Sequence, residues 1–163
     1  MTPFLWTGRI NSGKNLEHLA DNAFDGLTVI NKINLNGNRL TSLGKAFHVL
    51  PHEVTCGMEV EFPYWFINLD NNNLGSINGV FENLQGLRGR ISLEGNTNLS
   101  PLPILQEVLA LDTMIAFKMS DKPLECGCNM KWLAADPKLK NLGYEWKCKN
   151  GEPLKYVSII IIY

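Results

Sequence analysis

Apolar and polar residues alternate over Ile33-Asn34-Leu35, and the same alternation returns at Ile67-Asn68-Leu69 and at Ile91-Ser92-Leu93. A period of two marks a strand with one buried face. Three residues after the second apolar position of each copy stands an asparagine: Asn38, Asn72 and Asn96. Leu40 and Leu74 close the first two phrases, and Leu99 closes the third one residue late. The asparagines lie 34 and 24 residues apart, and a fourth copy, Phe117-Lys118-Met119, puts Lys122 26 residues after Asn96. Phe47 and Phe81 follow Asn38 and Asn72 by nine residues, with Leu50 and Leu84 three further on. A degraded earlier copy supplies Leu16, Leu19, Phe24 and Leu27. The pattern predicts a short strand, a turn at Asn-x-Leu, and a return segment whose Phe/Leu edge packs over the strand's apolar side. No single copy buries that edge alone, so stacked copies are needed to close a core. An asparagine at such a turn can bond backbone groups that the turn would leave unpaired.

The phrase resembles the leucine-rich-repeat consensus L-x-x-L-x-L-x-x-N-x-L, at close to its period of about 20–29 residues. The resemblance implies an α/β solenoid: an arc with an inner parallel sheet, irregular outer connections and a concave face that presents a surface. Residues 1–122 form the repeats, with an insert at about 51–63, and residues 123–163 form a C-terminal cap. In that geometry the polar strand positions fall into three columns on the concave face. One holds Lys32, Phe66, Arg90 and Ala116; the next Asn34, Asn68, Ser92 and Lys118; the last Asn36, Asp70, Glu94 and Ser120. Neighbours in a column sit side by side at strand spacing. Phe66, Asn68, Asp70, Arg90, Ser92, Glu94 and Lys118 are the expected partner-binding residues, with Phe66 as the aromatic anchor. Asp70 and Glu94 on adjacent strands also permit an acid–base or calcium reading. A solvated strand face is the simpler account of them.

With 163 residues the chain can bury one sizeable core. A formal net charge of −1 and the lack of a basic run with interleaved aromatics argue against nucleic-acid binding. Met1-Thr2-Pro3-Phe4-Leu5-Trp6 has neither the charged nor the apolar region of a signal peptide, which reads as a shortened start. The apolar tail 157–163 is far short of the roughly 20 residues of a membrane span. It reads as a terminal strand on the cap, as the beginning of a truncated span, or as an artefact of the sequence. A membrane partner is expected only under the second of these.

The run Pro123-Leu124-Glu125-Cys126-Gly127-Cys128, with Trp132-Leu133 and Cys148 downstream, resembles the cysteine-rich C-terminal flanking domain of extracellular leucine-rich-repeat proteins. The resemblance covers roughly residues 117–157 and implies a Cys126–Cys148 disulfide. Cys128 is left in search of a partner, since the family's fourth cysteine is missing; Cys56 in the insert is the other cysteine within the chain, and a free Cys56 is the alternative. Zinc sites favour Cys-x₂₋₄-Cys and four ligands, and Pro51 interrupts the helical spacing of His48 and His52, so no metal is expected. Disulfides place the protein outside the cytosol. The stretch from Phe117 to Cys128, then Lys131-Trp132-Leu133, Cys148 and Leu154, is similar to secreted arthropod leucine-rich-repeat proteins. Many of these are named after the non-catalytic subunit of the Oplophorus-type luciferin 2-monooxygenase, and the name implies secretion and an accessory role.

A nucleophile–base set is missing from the sequence. His18, His48 and His52 fall in connecting segments, His18 reading as a solvent-facing turn residue, and neither a P-loop nor His-Glu-x-x-His occurs. Asn98-Leu99-Ser100 is a glycosylation sequon, weakened by Pro101. The expectation is a secreted, cofactor-free, non-catalytic binding module that recognises a protein or glycan partner through its concave face. The alternatives are an accessory subunit of a separate secreted enzyme and a fragment of a receptor ectodomain.

Overall fold

A computed structural model describes residues 15–25, 32–48, 65–81, 88–110, 114–134, 136–138 and 146–154. The insert at 51–63 with Cys56 and His52, the positions Leu27, Leu50 and Leu84, and the tail 157–163 lie outside the described residues.

Four parallel strands form one sheet in sequence order: β1 (Lys32–Asn34), β2 (Trp65–Asn68), β3 (Arg88–Ser92) and β4 (Met114–Lys118). Parallel neighbours require a crossover between each pair, and here each crossover starts with the same turn. The register aligns the repeated phrase with itself, Ile33 beside Ile67, Ile67 beside Ile91 and Ile91 beside Phe117. Pairing runs one step beyond the strands, with the amides of Leu35, Leu69 and Leu93 donating to the carbonyls of Asn68, Ser92 and Lys118 at 2.8, 2.9 and 3.0 Å. The alternation is realised as expected. Ile33, Leu35, Ile67, Leu69, Ile91, Leu93, Phe117 and Met119 are all buried, and they belong to one apolar cluster that continues to Leu154.

The three asparagines sit inside the turns, buried. Asn72 Nδ2 donates to the carbonyls of Leu35, Leu69 and Asp70 at 3.0, 2.9 and 3.1 Å, while its Oδ1 accepts the Leu40 amide at 3.1 Å. Asn96 repeats the pattern one unit on, reaching back to Leu69 O and Leu74 N, and Asn38 reaches back to Leu16 N. Each amide therefore satisfies backbone of its own unit and of the unit before it, which is why the offset from Ile-x-Leu is constant. The residue before each asparagine takes a left-handed backbone: Gly37 (φ 69°), Asn71 (φ 53°) and Gly95 (φ 73°). Glycine and asparagine are the residues that adopt this conformation at least cost.

Behind the sheet runs a line of phenylalanines. Phe24 and Phe47 lie 4.9 Å apart between ring centres, Phe47 and Phe81 5.8 Å, and Phe81 meets Phe117 of β4 edge-on at 5.7 Å. The third unit departs from the irregular outer connections expected. Its return segment is a ten-residue helix, α1 (Pro101–Ala110), which buries Ile104, Leu105, Val108 and Leu109. Proline in the first turn after Ser100 suits a helix start, and the i, i+1, i+4, i+5 spacing gives it a single apolar stripe. Leu105 thus holds the position that Phe47 and Phe81 hold in the units before.

The C-terminal segment joins the same core through Leu124, Met130, Leu133, Trp146 and Leu154. A 3₁₀ turn (Cys128–Met130) leads into a single-turn helix α2 (Lys131–Ala134). Leu124 pairs with the 147–149 segment, donating to Lys147 O and accepting from Lys149 N, both at 2.9 Å. The Cys126–Cys148 disulfide that the flanking-domain resemblance implied is formed alongside, with Cα atoms 5.5 Å apart. Cys128 is exposed and without a disulfide partner among the described residues.

Candidate binding face

Since β-strand side chains alternate, burying Ile33, Ile67, Ile91 and Phe117 sends the residues on either side of them to the opposite face. The register turns the three sequence columns into three spatial rows. Lys32 lies beside Phe66, Phe66 beside Arg90 and Arg90 beside Ala116; Asn34, Asn68, Ser92 and Lys118 form the next row. All seven residues singled out in the sequence, Phe66, Asn68, Asp70, Arg90, Ser92, Glu94 and Lys118, therefore share one face. They do not contribute equally. Ser92 is only 2% exposed between Asn68 and Lys118 and offers no surface. Phe66 is half-buried, and the Lys32 ammonium stands 5.4 Å from its ring centre in cation–π geometry.

The polar side chains are tied down in a directional way. Asn34 Oδ1 accepts the Asn36 amide at 3.2 Å and Asn68 Oδ1 the Asp70 amide at 2.9 Å. Each amide group thus turns its oxygen into the backbone, and neither Nδ2 has an acceptor among the described residues. Asp70 Oδ1 accepts the Glu94 amide at 2.8 Å, bracing adjacent strands at their C-terminal ends. Asp121 Oδ2 accepts the Gly95 amide at 2.9 Å, where the two earlier units use a backbone carbonyl. Lys118 Nζ lies 2.7 Å from Glu94, and the Ser120 hydroxyl donates to the same carboxylate. Partial burial pushes the Glu94 carboxyl up, but the hydrogen bonds from Lys118 and Ser120 and the lysine charge outweigh it and hold the group below its ordinary value.

The charges that the sequence shows as interleaved are thus sorted in space. Lys32 and Arg90 share the row of Phe66, whereas Asp70 and Glu94 lie one row beyond the asparagines. Glu94 already has Lys118 as its counter-ion, which speaks against a free acid–base pair. Among the described residues no group of three or more His, Cys, Asp or Glu side chains is placed to hold a metal ion. His18 and His48 are exposed away from these rows. A cleft of about 240 Å³ opens where Gly75, Ser76 and Asn78 meet Ser100 and Pro103 at the start of α1, but no titratable group lines it. Asn98 of the sequon is exposed, with Nδ2 donating to Asn73 Oδ1 at 2.7 Å.

Sequence reasoning missed the part played by Lys32, by the backbone bonds of Asn34 and Asn68, and by Asp121. Lys32 and Asn34 were visible as column members, but the ring that Lys32 meets lies one unit away, and the bond that holds the Asn34 oxygen is to a backbone amide two residues on. No family model, curated protein or solved structure matches this chain. No helix among the described residues is long and apolar enough to cross a membrane.

Proposed function

We propose that this chain is a short leucine-rich-repeat solenoid with a disulfide-bonded C-terminal cap, working outside the cytosol as a non-catalytic binding module. The concave sheet face is its working surface, and its partner is a protein. One observation carries the reading: an in-register face of fixed polar side chains is arranged around the half-buried ring of Phe66. A large aromatic flanked by braced polar groups is the composition of an interface centre, where a few anchored residues carry most of the affinity. The recurring asparagine turns support the repeat reading, since each asparagine bonds the backbone of two successive units. The Cys126–Cys148 bond accords with an oxidising compartment.

The test is cross-linked capture from the fluid in which the protein occurs, with wild-type, Phe66→Ala and Asp70→Asn baits of equal thermal stability. The expected result is a protein retained by the wild type and lost from both variants. Retention at the same level by all three baits would move the working surface elsewhere. An enzyme recovered in fixed ratio would make the binding role that of an accessory subunit.

A further inference from the structure

We infer that the face recognises an extended protein segment of two signs, an acidic residue over Lys32 and Phe66 and a basic residue over Asp70. The inference rests on the sheet-face reading and adds the chemistry and spacing of what is bound. Three observations carry it.

The first row offers donors and an apolar floor, and its side chains include no acceptor. Lys32 is exposed with its ammonium over Phe66. A carboxylate brought there meets a cation partly desolvated by an aromatic ring, and the ring keeps water from one side. The second row offers more donors. Asn34 and Asn68 are adjacent in register, and their oxygens are held by the Asn36 and Asp70 amides, which leaves their NH₂ groups without an acceptor among the described residues on neighbouring strands. A carboxylate side chain is too short to fill both rows. The main-chain carbonyls that follow it in an extended segment are acceptors at the right place.

The third row reverses the sign. Asp70 spends one oxygen on the Glu94 amide, and Asp121 adds a second carboxylate at the same end of the strands. Glu94 is matched by Lys118, so it does not compete for a ligand cation. Asp70 follows Phe66 by four residues, two beyond the end of β2, which in extended chain is about 13 Å at roughly 3.3 Å per residue. A polyanion, such as a sulfated glycan, gains at the first row and is repelled at the third. A segment bearing an acid and a base four residues apart satisfies both rows, and wrong-signed partners are rejected by like charge.

The decisive experiment uses NMR titration of the intact chain at low ionic strength with four probes. They are acetyl-Glu-Ser-Gly-Ser-Lys-amide, the same composition with Glu and Lys adjacent, acetyl-Glu-Ser-Gly-Ser-Glu-amide, and a heparin tetrasaccharide. The expected result is that the spaced Glu/Lys peptide shifts the side-chain NH₂ signals of Asn34 and Asn68. It should bind about 10-fold more tightly than the adjacent-charge peptide, a difference of about 1.4 kcal/mol. Lys32→Gln and Asp70→Asn should each remove most of that advantage. Both keep the fold's bonds, because asparagine at 70 still accepts the Glu94 amide. Equal binding of the two Glu/Lys peptides, tighter binding of the di-Glu peptide or the tetrasaccharide, or no shift with any probe at millimolar concentration would overturn the inference. If capture still depends on Phe66 in those cases, the sheet-face reading survives and only the two-sign chemistry falls. If capture is independent of Phe66, both fall.

Discussion

The second and third units and the end of the fourth meet the same physical problem with different chemistry. A tight turn after each strand leaves backbone donors and acceptors facing inward. In the earlier units the answer is a neutral amide: Asn96 gives its Nδ2 to Leu69 and Leu93 carbonyls at 3.0 and 2.8 Å and takes the Leu74 amide at 3.2 Å. At the fourth unit Lys122 occupies the asparagine position and can only donate. Its ammonium bonds the carbonyls of Thr97 and Leu99, both at 2.7 Å, and no amide is accepted in return. Asp121, the residue before, takes the Gly95 amide, which the two earlier units give to a backbone carbonyl. The comparison teaches what the asparagine position asks for: an amide serves both donors and acceptors of its own and the preceding unit, whereas an ammonium serves carbonyls of the preceding unit alone.

Breaking the disulfide tests how far the end depends on covalent help. Cys126 and Cys148 are 22 residues apart, and replacing both by Ala should cost about 2–4 kcal/mol, mostly through the freed unfolded chain. Urea midpoints of reduced and oxidised protein would read this, and identical midpoints would mean that Leu124 pairing and the shared core suffice.

The comparison itself is sharpened by removing the two turn residues separately. Asn96→Ala should cost about 3 kcal/mol, because it strands buried carbonyls and the Leu74 amide together. Lys122→Met keeps the aliphatic stem, and water can reach the carbonyls it leaves, so about 1 kcal/mol is expected. Equal costs in chemical denaturation would mean that the charged turn is as deeply integrated as the neutral one.

The left-handed position gives a smaller effect. Gly95→Ala puts a methyl 2.3 Å from Asn71 Oδ1 at φ 73°, and the backbone conformation alone costs about 1–2 kcal/mol. Gly75→Ala meets nothing within 4 Å and should stay within about 0.5 kcal/mol of the parent. Thermal melts of the pair would decide it, and matched losses would disprove the steric account.

The smallest effect is electrostatic. The Glu94 carboxyl lies below its ordinary value in the folded chain, so it binds protons less readily there than when unfolded. Its contribution is therefore complete above the ordinary value near 4.5 and is lost as the pH falls through the lower folded value. For a group still partly in water the pair with Lys118 amounts to a few tenths of a kcal/mol. Glu94→Gln should lower stability by that small amount at neutrality, flatten the stability–pH curve around and below the ordinary value, and bring variant and parent together at low pH, as urea midpoints over pH would show.

Local chemistry made much of the sheet legible. Alternation named the buried side of every strand, the constant offset named the buried asparagines, and the columns became rows because register follows from stacking like upon like. The turn glycines were equally readable, since Gly37, Asn71 and Gly95 all precede a buried asparagine, but their left-handed role was overlooked. Helix α1 could be read from Ser100-Pro101 and its apolar spacing, yet the precedent of the earlier units hid it.

What the residues alone determined is which face each side chain takes and which turns recur, because strand alternation and backbone satisfaction act over a few positions. Tertiary structure decided what the face can do. Ser92 is covered by its neighbours, Lys32 reaches the ring of Phe66 from another strand, and Asp121 serves a turn 26 residues earlier. These contacts depend on how far one unit lies from the next. With crossovers of unequal length, that distance is settled only when the phenylalanine line and the shared core have packed.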